Sequence, residues 1–126
     1  MNGIFILLLM VFMHIVDDYY LQGILASMKQ KSYWSKPFSP LNRRLYRYDY
    51  LWALLMHGFS WTFMIMLPIA FVYSFEANIA FLIAFVINWI IHSMVDDLKA
   101  NKEKINLWLD QIIHLGQIFI TAIILL

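Results

Sequence analysis

All four histidines of this 126-residue chain stand in apolar stretches, and three of them carry an aspartate one helical turn away. His14 has Asp18 at i+4, His92 has Asp96 at i+4, and His114 has Asp110 at i−4. Helix positions four apart share a face, so each pair offers an imidazole nitrogen and a carboxylate oxygen to a common point. That donor set suits a divalent cation, zinc first, with manganese, iron or nickel as alternatives. The expected metal ligands are His14, Asp18, His57, His92, Asp96, Asp110 and His114. The expected proton-carrying groups are Asp17, Asp18 and Asp96; Asp17, at i+3 from His14, still faces the site. Seven ligands exceed the three or four of one catalytic zinc. Either two ions sit together, or one ion is held by some of these residues while the others orient them. Asp97 is turned about 140° from His92 and is expected at the interface or paired with Lys99.

The elements that must position these groups are apolar. Hydrophobic residues make up 63% of the chain and charged residues 13%, against about 25% charged in a soluble domain. A bilayer core about 30 Å thick needs roughly 20 mostly apolar helical residues. Four windows reach that scale, at about 3–22, 50–73, 77–96 and 107–126. The expected fold is a single-domain, all-α membrane protein, a four-transmembrane-helix bundle with one histidine per helix. No basic residue precedes the first window and no small-residue cleavage site follows it, so it reads as a retained helix, not a signal peptide. Pro68 is expected to kink the second helix.

Every one of the nine basic residues falls in one of two connections: Lys29, Lys31, Lys36, Arg43, Arg44 and Arg47 in loop 23–49, and Lys99, Lys102 and Lys104 between the last two helices. The positive-inside rule makes those connections cytoplasmic and both termini extracytoplasmic, as suits a bacterial inner membrane. Pro37, Pro40, Phe38 and several tyrosines in the basic loop suit the headgroups of an anionic leaflet. In that orientation the first, third and fourth helices all place Asp toward the cytoplasm and His about 6 Å deeper, with His57 at a similar level. Neutral imidazoles acting as interhelical hydrogen-bond glue explain the polarity but not this convergence. A proton or ion relay is the other alternative.

The net charge of +1 implies no nucleic-acid surface, and with no cysteine there is no thiolate or disulfide chemistry. HExxH, GxSxG and phosphate-binding glycine loops are absent; Gly58-Phe59-Ser60-Trp61-Thr62 fails at its last position. Gly58 and Gly116 are expected where helices approach closely. Trp61, Trp89 and the eight methionines are expected as packing.

His14-x-x-x-Asp18-x-x-Leu21-Gln22 with Lys29, His92-x-x-x-Asp96-x-x-Lys99 and Asp110-Gln111-x-x-His114 together reach across nearly the whole chain. In these motifs it resembles a family of small bacterial and phage inner-membrane proteins, domain of unknown function 3307. The resemblance implies a shared site and no particular reaction. The residues themselves favour metal-dependent hydrolysis of a lipid-like ester or phosphoester near the cytoplasmic leaflet. The alternatives are an ion- or proton-coupled transporter or channel subunit, and a non-catalytic membrane partner with a structural metal. The expected partner is the lipid bilayer, with a homo-oligomer allowed.

Overall fold

A computed structural model describes residues 2–35 and 44–126. Lys36, Pro37, Phe38, Pro40 and Arg43 of the basic loop lie outside the described residues.

Asparagines start three of the four long helices. Asn2 accepts from the Ile4 amide at 3.0 Å, Asn78 from Phe81 at 2.9 Å and Asn106 from Leu109 at 3.0 Å; each satisfies an amide the helix leaves without a partner. The first, α1, spans Gly3–Ile15 and runs directly into a π-helical turn at Val16–Leu21. That turn closes with the Gln22 amide on the Asp17 carbonyl at 3.1 Å, and Gly23 then adopts φ +48°, the conformation glycine accepts most readily. Two short helices follow, α2 (Leu25–Met28) and α3 (Lys31–Ser35), where the sequence suggested only a loop. Next come α4 (Asp49–Val72), α5 (Ile79–Ala100) and α6 (Leu107–Leu125). α4 continues through the buried Pro68 as one element. α5 runs four residues past the expected end at 96, so Asp97 and Lys99 are helical.

The four long elements, Gly3–Leu21, α4, α5 and α6, are each long and apolar enough to cross a membrane. They close a ring in the order α1, α4, α5, α6, and α1 against α6 is the loosest of the four seams. Their outer faces are apolar: Phe12, Ile83, Ile90 and Ile123 are all exposed. The interior is divided. Toward the α4–α5 turn it is hydrocarbon, built from Ile6, Met10, Ile65, Ile69, Ile118 and Leu125. Toward the opposite end, that of the basic connections, it is polar. Asn101 joins those two connections, accepting from the Lys31 amide at 2.7 Å and donating to the Lys29 carbonyl at 3.0 Å.

Gly58 lets α4 and α5 touch beside the polar half. A Cβ there would overlap Ser93 Oγ and lie 3.2 Å from the Trp89 carbonyl oxygen. Gly58→Val is expected to cost about 1–3 kcal/mol, read as a lower thermal midpoint in detergent. Gly116 has nothing within 4 Å of its would-be Cβ, which corrects the expectation of a close approach there. Gly116→Ala is accordingly expected to raise the midpoint slightly, by the about 0.5–1 kcal/mol that glycine costs inside a helix.

Candidate metal centre

The polar interior gathers three imidazoles and three carboxylates from four elements. His57 Nε2 lies 3.2 Å from Asp18 Oδ1, 3.3 Å from His92 Nε2 and 3.4 Å from Asp96 Oδ2. Donors held about 2.1 Å from a tetrahedral ion stand about 3.4 Å apart, so the distances from His57 to its neighbours are those of co-ligands, although His92 Nε2 and Asp96 Oδ2 are 3.9 Å apart. On the other side of His92, its Nδ1 lies 3.2 Å from His114 Nδ1. His114 Nε2 is 3.5 Å from Asp96 Oδ1 and 3.4 Å from Asp110 Oδ1. Two groups result, Asp18 with His57 and His92, and His92 with Asp96 and His114; in each the donor atoms lie within 4.8 Å of one another and all residues are buried. Asp96 faces both, with Oδ2 toward His57 and Oδ1 toward His114.

Hydrogen bonds fix the imidazoles. Gln117 is held by Asn88, whose side-chain and backbone oxygens accept from Gln117 Nε2 at 3.2 and 3.3 Å. Its Oε1 lies 3.2 Å from His114 Nδ1, so that Nδ1 is the nitrogen that donates to it and Nε2 is the one turned toward Asp96 and Asp110. His114 Nε2, Asp96 Oδ1 and Asp110 Oδ1 are buried and have no hydrogen-bond partner among the described residues. Such an atom costs about 1–3 kcal/mol when buried bare. Two carboxylate oxygens and one imidazole nitrogen facing one another suit a positive charge, either a metal ion or a proton carried on Nε2.

Not every expected residue joins. His14 is set apart, because both its ring nitrogens are engaged: Nδ1 accepts from Trp61 Nε1 at 2.7 Å, and Nε2 lies 3.0 Å from Gln111 Oε1. Asp17 stands behind His57 instead of among the donor atoms, its Oδ2 3.7 Å from His57 Nδ1 and its Oδ1 accepting from Ser60 Oγ at 2.5 Å. Both Asp17 and Asp18 are buried in the π-helical turn at Val16–Leu21, on the side their i+3 and i+4 spacing from His14 suggested. At 3.7 Å, and with neither atom hydrogen-bonded, the acid acts on the ring through charge; an acid that closes to hydrogen-bond a ligating imidazole orients it, and on that basis Asp17→Asn is expected to weaken cation affinity about 10-fold or more, measured by competition with a chelator. Asp110 flanks the second group through His114. Asp97 pairs with Lys102 at 3.0 Å and Asn101 at 2.8 Å, and not with Lys99 as expected.

Two lysines enter that sequence reasoning left outside the site. Lys29, brought back over the bundle by α2, is buried with Nζ 2.6 Å from Asp96 Oδ2. Lys99 Nζ is 2.5 Å from Asp110 Oδ2. Only the extra turn of α5 aims Lys99 at α6, and nothing in the local spacing of Lys29 signals a partner 67 positions away. Trp61, fully buried, stacks on His92 with ring centres 4.1 Å apart. Four carboxylates and two ammonium groups leave a formal charge of −2, that of one divalent cation's counter-charge.

No family model, curated protein or solved structure matches the chain.

Proposed function

We propose that the chain is a multi-pass membrane protein whose His/Asp centre binds divalent cations, most simply zinc, and hydrolyses a phosphoester of a lipid-like substrate. The observation that carries this reading is Asp96, a carboxylate whose two oxygens face two separate imidazole groups, as a bridging ligand between paired metal ions does. Asp18 and His57 would hold one ion and Asp96 and His114 the other, with the shared His92 serving only one of them, since a neutral imidazole offers a single lone pair. When bound, such ions polarise a phosphoryl oxygen and lower the pKa of water toward about 7. Two divalent ions would turn the formal −2 into +2, which favours an anionic substrate over a neutral ester. Asp110, held as a carboxylate by Lys99 at 2.5 Å, would orient His114, and Asp17 would position His57.

The apolar outer faces support insertion in a bilayer, since contiguous exposed hydrocarbon on this scale is unusual on a soluble monomer. Lys29, Lys31, Arg44 and Arg47 share an end with Lys99, Lys102 and Lys104, because Asn101 ties the two connections together. That end is proposed to face the cytoplasm of a bacterial cell, with both termini outside. Membership in the family that the His/Asp motifs resemble is proposed on those motifs alone. A polar string from His114 through Gln117 and Asn88 to Thr121 favours proton or ion transfer as a second reading. The string ends against Ile65, Ile69 and Ile118, a hydrocarbon seal that supports a site open at one end only.

Protein purified without tag histidines is expected to retain zinc or another transition metal and to release phosphate from a short soluble phosphoester, losing both with a chelator. Less than about 0.2 equivalents of metal after gentle preparation, or metal flux into proteoliposomes without hydrolysis, would overturn the reading.

A further inference from the structure

The carboxylates of Asp18, Asp96 and Asp110 share one arrangement. In each, Oδ2 accepts from a nitrogen donor: Asp96 from Lys29 Nζ at 2.6 Å, Asp110 from Lys99 Nζ at 2.5 Å, and both Asp18 and Asp110 from Gln111 Nε2 at 3.1 Å. Each Oδ1 is turned to an imidazole, 3.2 Å from His57 Nε2 for Asp18, and 3.5 and 3.4 Å from His114 Nε2 for Asp96 and Asp110. Two of these oxygens, on Asp96 and Asp110, are buried with no hydrogen-bond partner among the described residues. A free carboxylate can grip an ion with both oxygens. One whose second oxygen is held by an N–H donor offers the ion a single oxygen.

Gln111 is the uncharged donor of the set, and among the described residues it alone donates to Asp18 Oδ2. Its amide cannot turn over. Reversed, the amide oxygen would face two carboxylates and abandon His14, whose Nε2 lies 3.0 Å from Gln111 Oε1. Trp61 Nε1, a donor only, lies 2.7 Å from His14 Nδ1, so Nδ1 carries the lone pair and Nε2 the proton that Gln111 accepts. His14, expected as a ligand, therefore fixes the direction of the amide that restrains Asp18.

We propose that Gln111 is a specificity-determining residue that favours zinc over manganese, by keeping one oxygen of Asp18 away from the ion that Asp18 and His57 would hold. Zinc is satisfied by four single donors, whereas manganese fills an octahedron with oxygens and gains from a carboxylate that chelates. The inference rests on the cation-binding reading above and assigns the selection to a residue that is not itself a ligand. Imidazole ligands prefer zinc in any case, so the signature is a change in the ratio of affinities and not the preference itself.

The test uses the full chain purified without tag histidines, with zinc and manganese as the probes and competition with a chelator as the readout. Gln111→Leu removes the donor and is expected to weaken zinc while strengthening manganese, lowering the ratio of their affinities about tenfold or more. A purely structural loss would weaken both ions in proportion. Lys99→Met, which leaves Gln111 on both carboxylates, should move both affinities in one direction and keep the ratio. X-ray absorption by the zinc-loaded wild type reads the same feature without a variant, and should find one oxygen per ligating carboxylate at about 2.0–2.2 Å. Proportional losses in Gln111→Leu, an equal change of ratio in Lys99→Met, or a chelating carboxylate on wild-type zinc overturns the assignment. A wild type that binds neither ion overturns the cation-binding reading and this inference with it. Zinc selected through Gln111 in a protein that releases no phosphate leaves the inference standing and overturns hydrolysis alone.

Discussion

Asp96→Ala is expected to abolish cation retention, weakening binding by more than about 100-fold, because it removes the one carboxylate that addresses both imidazole groups. It is also expected to destabilise the metal-free protein. Lys29, buried and 2.6 Å from Asp96 Oδ2, would lose its counter-charge, and breaking a buried pair on one side costs about 3–5 kcal/mol. The two effects can be separated. The double variant Lys29→Met/Asp96→Leu leaves no orphaned charge, so it should recover most of the thermal stability while binding no metal. Lys29→Met alone keeps the ligands and frees Asp96 Oδ2. It should be unstable without metal and be rescued by it, by about 2.7 kcal/mol at a hundredfold excess over Kd. Thermal midpoints with and without zinc, read beside elemental analysis, check all three variants. Full metal retention by Asp96→Ala is the result that defeats the bridging assignment.

Trp61→Ala should produce the largest loss of stability from a single packing change. The indole is fully buried, lies face to face with His92 at 4.1 Å and donates to His14 Nδ1 at 2.7 Å. Deleting it opens a cavity worth about 3–5 kcal/mol and leaves an imidazole nitrogen bare. If the bundle sits in lipid as proposed, this loss comes from packing and hydrogen bonding, since a side chain leaving the core then meets hydrocarbon and not water. Trp61→Phe keeps a stacked ring while losing the N–H and part of the indole's volume, so a smaller loss than Ala, about 1–3 kcal/mol, is expected. Denaturation in one detergent orders the series; if Phe is no better than Ala, the stacked ring contributes nothing.

The i, i+4 spacing of His14 with Asp18, His92 with Asp96 and Asp110 with His114 was enough to mark one polar stripe on each of three helices. It marked them because side-chain direction within a helix repeats locally. The same spacing placed Asp17, at i+3 from His14, beside Asp18 on one stripe, and both are buried in the π-helical turn. It did not separate them: Asp18 Oδ1 lies 3.2 Å from His57 Nε2, whereas Asp17 Oδ2 lies 3.7 Å from His57 Nδ1. Gly58 and Gly116 carried the same signal, and only Gly58 has a helix pressed against it.

Composition and periodicity alone therefore determined the all-helical class, the four long apolar elements and the polar stripes, because each depends on residues within a few turns of one another. The tertiary structure decided what no window of sequence contains: that His14 is saturated by Trp61 and Gln111, that Lys29 crosses 67 positions to reach Asp96, and that Asp96 stands between two imidazole groups. Those pairings depend on how far each helix is rotated and slid against its neighbours. That placement is set by the packing of all four long helices together, and the pattern of any one of them leaves it open.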